Sequence, residues 1–354
     1  MKTEKRIPLF EQDFSQTPIV KLSGGYDEAL GNEIYIKRDD FIPFSFGGNK
    51  ARKAAYFYQE IQELHPDVVM TYGSEASNHC RIIANLAASL GIPCHIISAG
   101  GEESENGDFP LFNRRMVMQL GATVETVPVE QVHDTIERRM QAFRDAGKIP
   151  YFIPGGGHGN AGTQSYVDAF YEIRRQEESM GLQFSYIFHA SGTGSTQAGL
   201  VCGKELSGSS DRIIGISIAR TCPRGRDVVR ESILEYYRML GGSEGEERFA
   251  WMDKVMHSSA KAPEKLFREE DLVFEDGYRL GGYGRTTEEE RKCLERVMEQ
   301  DGIPMDTTYV GKAFYGMLEY LKTHDIRGEK LLFIHTGGTP LWFDGNYSEP
   351  SKIS

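Results

Sequence analysis

The sequence has no long apolar stretch. None of its 354 residues belongs to a run of about 18 apolar residues, the length that a membrane-spanning helix needs. The first residues, MKTEKRIPLFEQDF, also lack the apolar segment of a signal peptide. We therefore expect a cytoplasmic protein without membrane contact.

Cysteine is scarce and dispersed. The five cysteines are Cys80, Cys94, Cys202, Cys222 and Cys293. They form no CxxC pair, and an odd number at wide spacing argues against a disulfide framework or a structural zinc site. His79 has no second ligand three or four residues away, so we expect no metal site.

The sequence has fewer basic than acidic residues. The chain has 40 Lys and Arg against 52 Asp and Glu, a formal net charge of −12. Such a field disfavours nucleic acid and anionic membrane surfaces as partners. A small anionic ligand is still allowed, because a helix N-terminus and local basic residues can bind one whatever the net charge.

Short apolar runs alternate with helical patterns along the chain. Predicted strands include residues 67–73, 93–98, 184–190, 212–219 and 330–338. This alternation, with strands that are apolar throughout, indicates an α/β fold with a mainly parallel sheet, and the length suggests two domains. The charged segment 241–248 predicts an exposed loop.

One helix is defined by its ends as well as its period. Its predicted apolar face consists of Ile82, Ile83, Leu86, Ala87 and Leu90. Ser77 is a suitable N-cap, and Gly91 followed by Pro93 is a typical helix end. Capping is the plain interpretation of Ser77, and a satisfied structural histidine that of His79. Exposed N–H groups at the same helix start could also bind a carboxylate.

Glycine-rich and polar clusters follow several predicted strands. They read SEASNH, GGGHGN, ASGTGST and HTGGT. Ligands of open α/β sheets bind at the carboxyl ends of the strands, so the four clusters predict one shared crevice.

Residues 190–200, ASGTGSTQAGL, predict an anion-binding turn at a helix start. The backbone N–H groups that would converge on the anion belong to Gly192, Thr193, Gly194, Ser195 and Thr196. The stretch is neither a Walker A loop nor GxGxxG, and a plain strand–helix turn is the alternative.

Residues 47–53, GGNKARK, place Lys50 at the beginning of a predicted helix. A cation is unfavourable there, so the amine of Lys50 should lose its proton more readily, as covalent chemistry with a carbonyl group requires. Lys53, one turn later, could reach a phosphate. A solvated basic helix start is the competing interpretation.

Together these motifs resemble a known family. GGNKARK, SNH, GGG, ASGTGSTQAGL, GGYG, TTYVGKA and FIHTGG occur in the order seen in pyridoxal-phosphate enzymes of the tryptophan synthase β-like fold, fold type II. The chain is similar in particular to D-cysteine desulfhydrase and 1-aminocyclopropane-1-carboxylate deaminase, from about Thr17 to Trp342.

The resemblance implies a role for each motif and pyridoxal 5'-phosphate as cofactor. Lys50 would hold the cofactor as a Schiff base, and Asn78 would donate a hydrogen bond to its ring hydroxyl. Lys53 and the loop Gly192–Thr196 would bind its phosphate. The substrate carboxylate would bind at Ser77, Asn78 and His79, with Tyr283 and Tyr309 assisting proton transfer.

The resemblance also implies an architecture. Two open, mainly parallel-sheet domains are expected: a large cofactor-binding domain of residues 1–51 and 161–354, and a smaller inserted domain of residues 52–160. Family members are commonly homodimers.

Two positions bear on the reaction. The deaminase pattern Tyr-Glu-Gly-Lys puts a glutamate at the pyridine nitrogen, where this chain has Val310; the desulfhydrase pattern puts a threonine there, here Thr336. A hydroxyl leaves the ring a weaker electron sink, which suffices for α,β-elimination. The resemblance therefore favours D-cysteine as substrate, giving pyruvate, sulfide and ammonia.

Departures from the desulfhydrase pattern keep other reactions open. They are Ala76, Arg285-Thr286, Thr307-Thr308 and His158, together with the arginine-rich stretch 219–227. If Arg220, Arg224 and Arg226 face the site, the substrate could carry a second anion, as cysteate does, for a sulfo-lyase reaction. Deamination of 1-aminocyclopropane-1-carboxylate, β-replacement and a non-catalytic anion-binding protein are the remaining alternatives.

Overall fold

The computed structural model describes residues 6–11, 16–27, 29–100, 111–241 and 267–345. All but the first residue of the predicted loop 241–248 lie outside these ranges. The strands are β1 Ile19–Lys21, β2 Glu33–Lys37, β3 Val68–Gly73, β4 Cys94–Ala99, β5 Thr123–Val127, β6 Pro150–Phe152, β7 Tyr186–Ser191, β8 Arg212–Ser217, β9 Val273–Glu275 and β10 Lys330–Ile334. The helices are α1 Asn49–Leu64, α2 Asn78–Leu90, α3 Phe112–Gln119, α4 Val132–Asp145, α5 Asn160–Met180, α6 Ser195–Ser207, α7 Arg224–Leu240, α8 Glu288–Asp301, α9 Val310–Thr323 and α10 Thr339–Gly345.

The larger sheet has six strands in the order β1-β2-β10-β7-β8-β9. Only β1 runs antiparallel to its neighbour. Helices on both faces bury the strands, so β10 is apolar along most of its length, with Leu331, Leu332 and Phe333 all at 0% exposure. The predicted α/β fold with mainly parallel sheets is confirmed.

The smaller sheet has four parallel strands in the order β5-β4-β3-β6. All four lie between residues 68 and 152, and the strands of the larger sheet lie on either side of that segment. The boundaries 1–51, 52–160 and 161–354 stay a prediction.

The predicted helix after SNH is α2, and its apolar face is confirmed. All five of its predicted core residues are at most 8% exposed. The backbone N–H of Cys80 donates to Oγ of Ser77 at 3.2 Å, and Gly91 ends the helix with φ of 69°. Ser77 is therefore an N-cap, whatever else it does.

Helix α6 lies unusually close to α5. A Cβ at Gly199 would stand 2.6 Å from Cβ of Tyr166, a separation that side chains do not adopt. The small residue lets the two helices pack tightly and fixes the N-terminus of α6 beside β7. No helix in the described part of the chain is both long and apolar enough to cross a membrane.

Candidate active site

A cavity of about 330 Å³ opens at the carboxyl ends of strands from both sheets. The segments that follow β3, β6, β7, β8 and β10 all contribute to its wall. Of the predicted site residues, those that line it are Lys50, Ser77, Asn78, His79, Gly192, Thr193, Gly194, Thr196, Tyr283, Tyr309 and Thr336. The sequence prediction of one crevice is therefore matched by the geometry.

Two glycines, Gly48 and Gly337, let the segments that carry Lys50 and Thr336 pack closely. A Cβ at Gly48 would lie 2.6 Å from the carbonyl oxygen of Thr336, and a Cβ at Gly337 would lie 2.6 Å from Cα of Gly48. The N–H of Asn49 donates to the same carbonyl at 2.9 Å. Both glycines have φ above +60°, so backbone packs on backbone and α1 begins at the cavity wall.

The amine of Lys50 is available at the cavity. Its side chain makes no hydrogen bond or ion pair with any residue that the structure describes. Burial lowers the pKa of Lys50 to about 8. A neutral amine is therefore accessible near physiological pH, which is the form that reacts with a carbonyl group.

The predicted anion-binding turn forms the N-terminus of α6. Gly194 precedes the helix with φ of 103°, and the first-turn N–H groups have no acceptor within the helix. Nζ of Lys53 lies behind the turn and donates to Oγ of Ser195 at 2.8 Å. Lys53 and Ser195 therefore support the turn, whereas Thr193 and Thr196 line the cavity itself.

Positive charge around this turn has no acidic partner among the described residues. Burial lowers the pKa of Lys53 well below its ordinary value, and the nearby charge of Lys50 lowers it further. Burial, then Lys50 and Lys53, likewise lowers the pKa of His79. Lys53 is buried and Lys50 half-buried, and neither has a carboxylate partner among the described residues. Beside the N-terminus of α6, the two amines fit a ligand that carries both a phosphate and a carbonyl carbon.

His79 has a structural partner. Its Nε2 lies 2.8 Å from Oγ1 of Thr71, and the residue is 2% exposed. Within the described ranges no group of three or more His, Cys, Asp or Glu residues is placed to hold a metal ion. Its contribution to the cavity is therefore its position at the start of α2.

Tyr283 and Tyr309 meet at the cavity through their hydroxyl groups. Oγ of Ser74 lies 3.0 Å from the hydroxyl of Tyr283. Partial desolvation raises the pKa of both tyrosines, although Tyr283 is still 43% exposed, and the contact with Tyr283 raises the pKa of Tyr309 further. Both hydroxyls thus stay protonated at neutral pH and form a connected chain with Ser74 that can relay a proton.

The three arginines of residues 219–227 point in different directions. Arg220 lines the cavity and its Nη1 donates to the carbonyl oxygen of Gly192 at 3.1 Å. Arg224 is exposed, and Arg226 pairs with Glu269 at 2.8 Å. Only one of these three cations is placed to meet a ligand.

The cavity lining contains no carboxylate in the described part of the chain. Val310 is fully buried in the apolar core of the larger sheet, while Thr336 faces the cavity. The position after Tyr309 therefore offers no acid to a bound ligand.

Sequence reasoning missed four residues that shape the site. Tyr72 lines the cavity, and its ring lies so close to Gly155 that a Cβ there would be 2.7 Å from it. Asp306, Arg81 and Asn113 hold lining residues from behind. The spacing Asp-x-x-Tyr signals Asp306, because a carboxylate three residues earlier can accept N–H bonds at a helix start.

The fold and the cavity together define a pyridoxal-phosphate-dependent enzyme. The sequence model of the family described as "Pyridoxal-phosphate dependent enzyme" matches residues 10–337, so the chain belongs to that family and pyridoxal phosphate is its cofactor. The family resemblance and the fold type II assignment are thereby confirmed.

Relatives carry two different names within this family. A 1-aminocyclopropane-1-carboxylate deaminase from Bradyrhizobium sp. is 30% identical over 95% of this chain and 94% of its own. A D-cysteine desulfhydrase from Yersinia enterocolitica is 30% identical over 92% of each. The crystal structure of an ACC deaminase homologue superposes with a TM-score of 0.75 at 29% identity, covering 95% of this chain and 92% of that one. The chain is a lyase of this deaminase and desulfhydrase family.

Proposed function

We propose that the protein catalyses α,β-elimination on a small amino acid with a β-leaving group, with D-cysteine as the first candidate. The observation that carries this proposal is a cavity whose lining, in the described residues, has a lysine amine without a hydrogen-bond partner, a threonine and no carboxylate. An acid at the pyridine nitrogen would suit the harder ring-opening reaction, and none of the described lining residues is an acid. The D configuration comes from the resemblance to the desulfhydrase.

The site residues divide between cofactor and substrate. The amine of Lys50 would hold the cofactor covalently, and the N-terminus of α6 with Lys53 would bind its phosphate. The free N–H groups at the start of α2 would bind the substrate carboxylate, because a helix N-terminus favours an anion. The side-chain NH₂ of Asn78 would donate to the ring hydroxyl of the cofactor, next to this carboxylate site.

Proton transfer falls to Lys50 and the tyrosine pair. When bound, pyridoxal phosphate withdraws electrons from the substrate Cα. Once the substrate's amino group has displaced Lys50 from the cofactor, the free amine of Lys50 would take the Cα proton, and the electron pair left behind would form the Cα–Cβ double bond as the Cβ–S bond breaks. Tyr309, hydrogen-bonded to Tyr283, delivers a proton to the leaving sulfur. The released aminoacrylate reacts with water to give pyruvate and ammonia.

Arg220 favours a second candidate within the same reaction class. Arg220 lines the cavity, where the other described lining residues are neutral apart from Lys50 and His79. A substrate with an anionic β-substituent, such as the sulfonate of cysteate, would pair with Arg220 and leave as sulfite. Relatives named as deaminases make 1-aminocyclopropane-1-carboxylate the third substrate to test.

A product panel tests the proposal. The cofactor-loaded protein is incubated with D-cysteine, cysteate and 1-aminocyclopropane-1-carboxylate, and sulfide, sulfite, pyruvate and 2-oxobutyrate are measured. Sulfide with pyruvate supports the proposal, sulfite with pyruvate supports the second candidate, and 2-oxobutyrate refutes both. An Arg220→Gln variant should lose cysteate turnover selectively, and the exposed Arg224→Gln is its matched control.

A further inference from the structure

Arg81 is a fully buried cation without an acidic partner. It lies on α2 and is 0% exposed. Its three donor groups reach only neutral oxygens: Nε to Oδ1 of Asn113 at 2.8 Å, Nη1 to Oγ of Ser45 at 2.9 Å and Nη2 to Oδ1 of Asn78 at 3.3 Å. No carboxylate of the described residues forms an ion pair with it.

The contrast with Arg52 shows how unusual this is. Arg52 is 3% exposed and pairs with Asp39 at 2.7 Å and with Glu172 at 2.8 Å. A buried cation with only neutral partners is unfavourable, and burial accordingly lowers the pKa of Arg81 to about 9. The ring of Phe46, 5.4 Å away, is its remaining favourable neighbour.

Arg81 and Asn113 together determine how the amide of Asn78 is turned. Nδ2 of Asn113 donates to Oδ1 of Asn78 at 2.9 Å, beside the bond from Arg81. Two donors at one position require an acceptor there, so the oxygen of the Asn78 amide faces them and its NH₂ faces away.

Asn78 lines the cavity, and its NH₂ is on the side of the amide that faces away from Arg81 and Asn113. This NH₂ makes no hydrogen bond with any described residue, and a Cβ at Gly338 would lie only 3.6 Å from it. Asn113 is fixed in turn, because its Oδ1 accepts from Arg81 and its Nδ2 also donates to the carbonyl oxygen of Ala76 at 2.9 Å. A turned amide would present an oxygen to the ligand.

We propose that Arg81 is a positioning residue: with Asn113 it locks the Asn78 amide so that a hydrogen-bond donor always faces the bound pyridoxal phosphate. The inference rests on the proposed placement of the cofactor against Asn78. It adds Arg81 and Asn113 as the residues that fix the orientation of the Asn78 amide.

A double-mutant cycle on cofactor affinity tests the lock. The dissociation constant of pyridoxal phosphate is measured by titrating visible absorbance for Arg81→Lys and Asn113→Ala, each with and without Asn78→Ala. Each single variant should bind the cofactor roughly tenfold more weakly, the effect of one hydrogen bond. In the Asn78→Ala background the same changes should have less than about a twofold further effect. Equal weakening in both backgrounds would overturn the proposal.

Ser45→Ala is the matched control. It removes a neutral acceptor from the same guanidinium but touches neither Asn78 nor Asn113. Its cofactor affinity should equal that of the wild type even if its melting temperature falls. If Ser45→Ala weakens binding as much as Asn113→Ala does, the effect is one of stability and the lock is refuted. If Arg81→Lys fails to fold, the comparison of Asn113→Ala with and without Asn78→Ala is enough to test the proposal. A wild type that binds no cofactor would instead contradict the proposed function.

Discussion

The backbone N–H of Tyr309 donates to Oδ1 of Asp306 at 2.7 Å. The N–H groups of Thr308 and Val310 donate to the same carboxylate at 2.9 and 3.3 Å. Asp306 is 2% exposed, so a buried acid accepts from the N–H groups at the start of α9 and just before it. These bonds fix the backbone of Tyr309, whose hydroxyl contacts that of Tyr283.

Asp306→Ala should therefore reduce kcat without removing the cofactor. Loss of all three acceptor bonds lets Tyr309 move, and a misplaced proton donor costs about ten- to a hundredfold in rate. Asp306→Asn keeps the oxygen that serves Thr308 and Tyr309 and should retain most activity. Steady-state kinetics on the best substrate check this; equal rates for the Ala variant and the wild type would exclude the positioning role.

Glu290→Gln should remove a pH-dependent loss of stability. Glu290 is fully buried, and burial raises its pKa from 4.5 to about 7. The native state therefore binds a proton that the unfolded state releases, so stability falls as pH rises from 4.5 to about 7. The free energy of unfolding should fall by at most about 3 kcal/mol over this pH range. A glutamine side chain does not ionise, so the variant should show no such fall.

Urea unfolding of both proteins at pH 4.5 and pH 8 measures this difference. The Gln variant should match the wild type at the lower pH and exceed it at the higher one. A stability difference of the same size at both values would show that ionisation of Glu290 plays no part.

Arg52→Met should be strongly destabilising, because it leaves the buried carboxylates of Asp39 and Glu172 with less compensation. Breaking a buried pair costs about 3–5 kcal/mol. The exposed pair of Arg327 with Asp325 supplies the control, since Arg327→Met should leave stability almost unchanged. Comparable losses for the two variants in urea unfolding would contradict the ion network as a source of stability.

Lys53→Met should change stability and cofactor affinity in opposite directions. Without cofactor the variant should be more stable, because an uncompensated buried cation has gone. Its affinity for pyridoxal phosphate should fall by about tenfold or more, since the positive charge behind the phosphate-binding turn has gone. Pyridoxal, which has no phosphate, is the matched ligand and should bind both proteins equally. An equal loss for both ligands would place Lys53 away from the phosphate.

What the sequence predicted was mostly local. Lys50, the turn at Gly192–Thr196 and the cap at Ser77 sit in motifs whose chemistry is visible within a few residues. Asn113 is 35 residues from its partner Asn78, and no spacing rule connects them. The pairing of parallel strands also joins residues far apart in sequence, because β10 lies between β2 and β7 in the sheet. Local sequence patterns do not predict this order.

The arginine-rich stretch shows a different limit. Arg220 precedes α7, whereas Arg224 and Arg226 are in its first turn. Their side chains therefore point in different directions although they are close in sequence. Three similar residues within seven positions could not be ranked until the backbone path was known.

The most direct measurement concerns Lys50 itself. The protein loaded with pyridoxal phosphate is reduced with borohydride, which makes the link between cofactor and amine permanent, and its peptides are analysed by mass spectrometry. The account predicts one adduct, on Lys50, and none on Lys53 three residues later. An adduct on Lys53, or a protein that forms none, would contradict it.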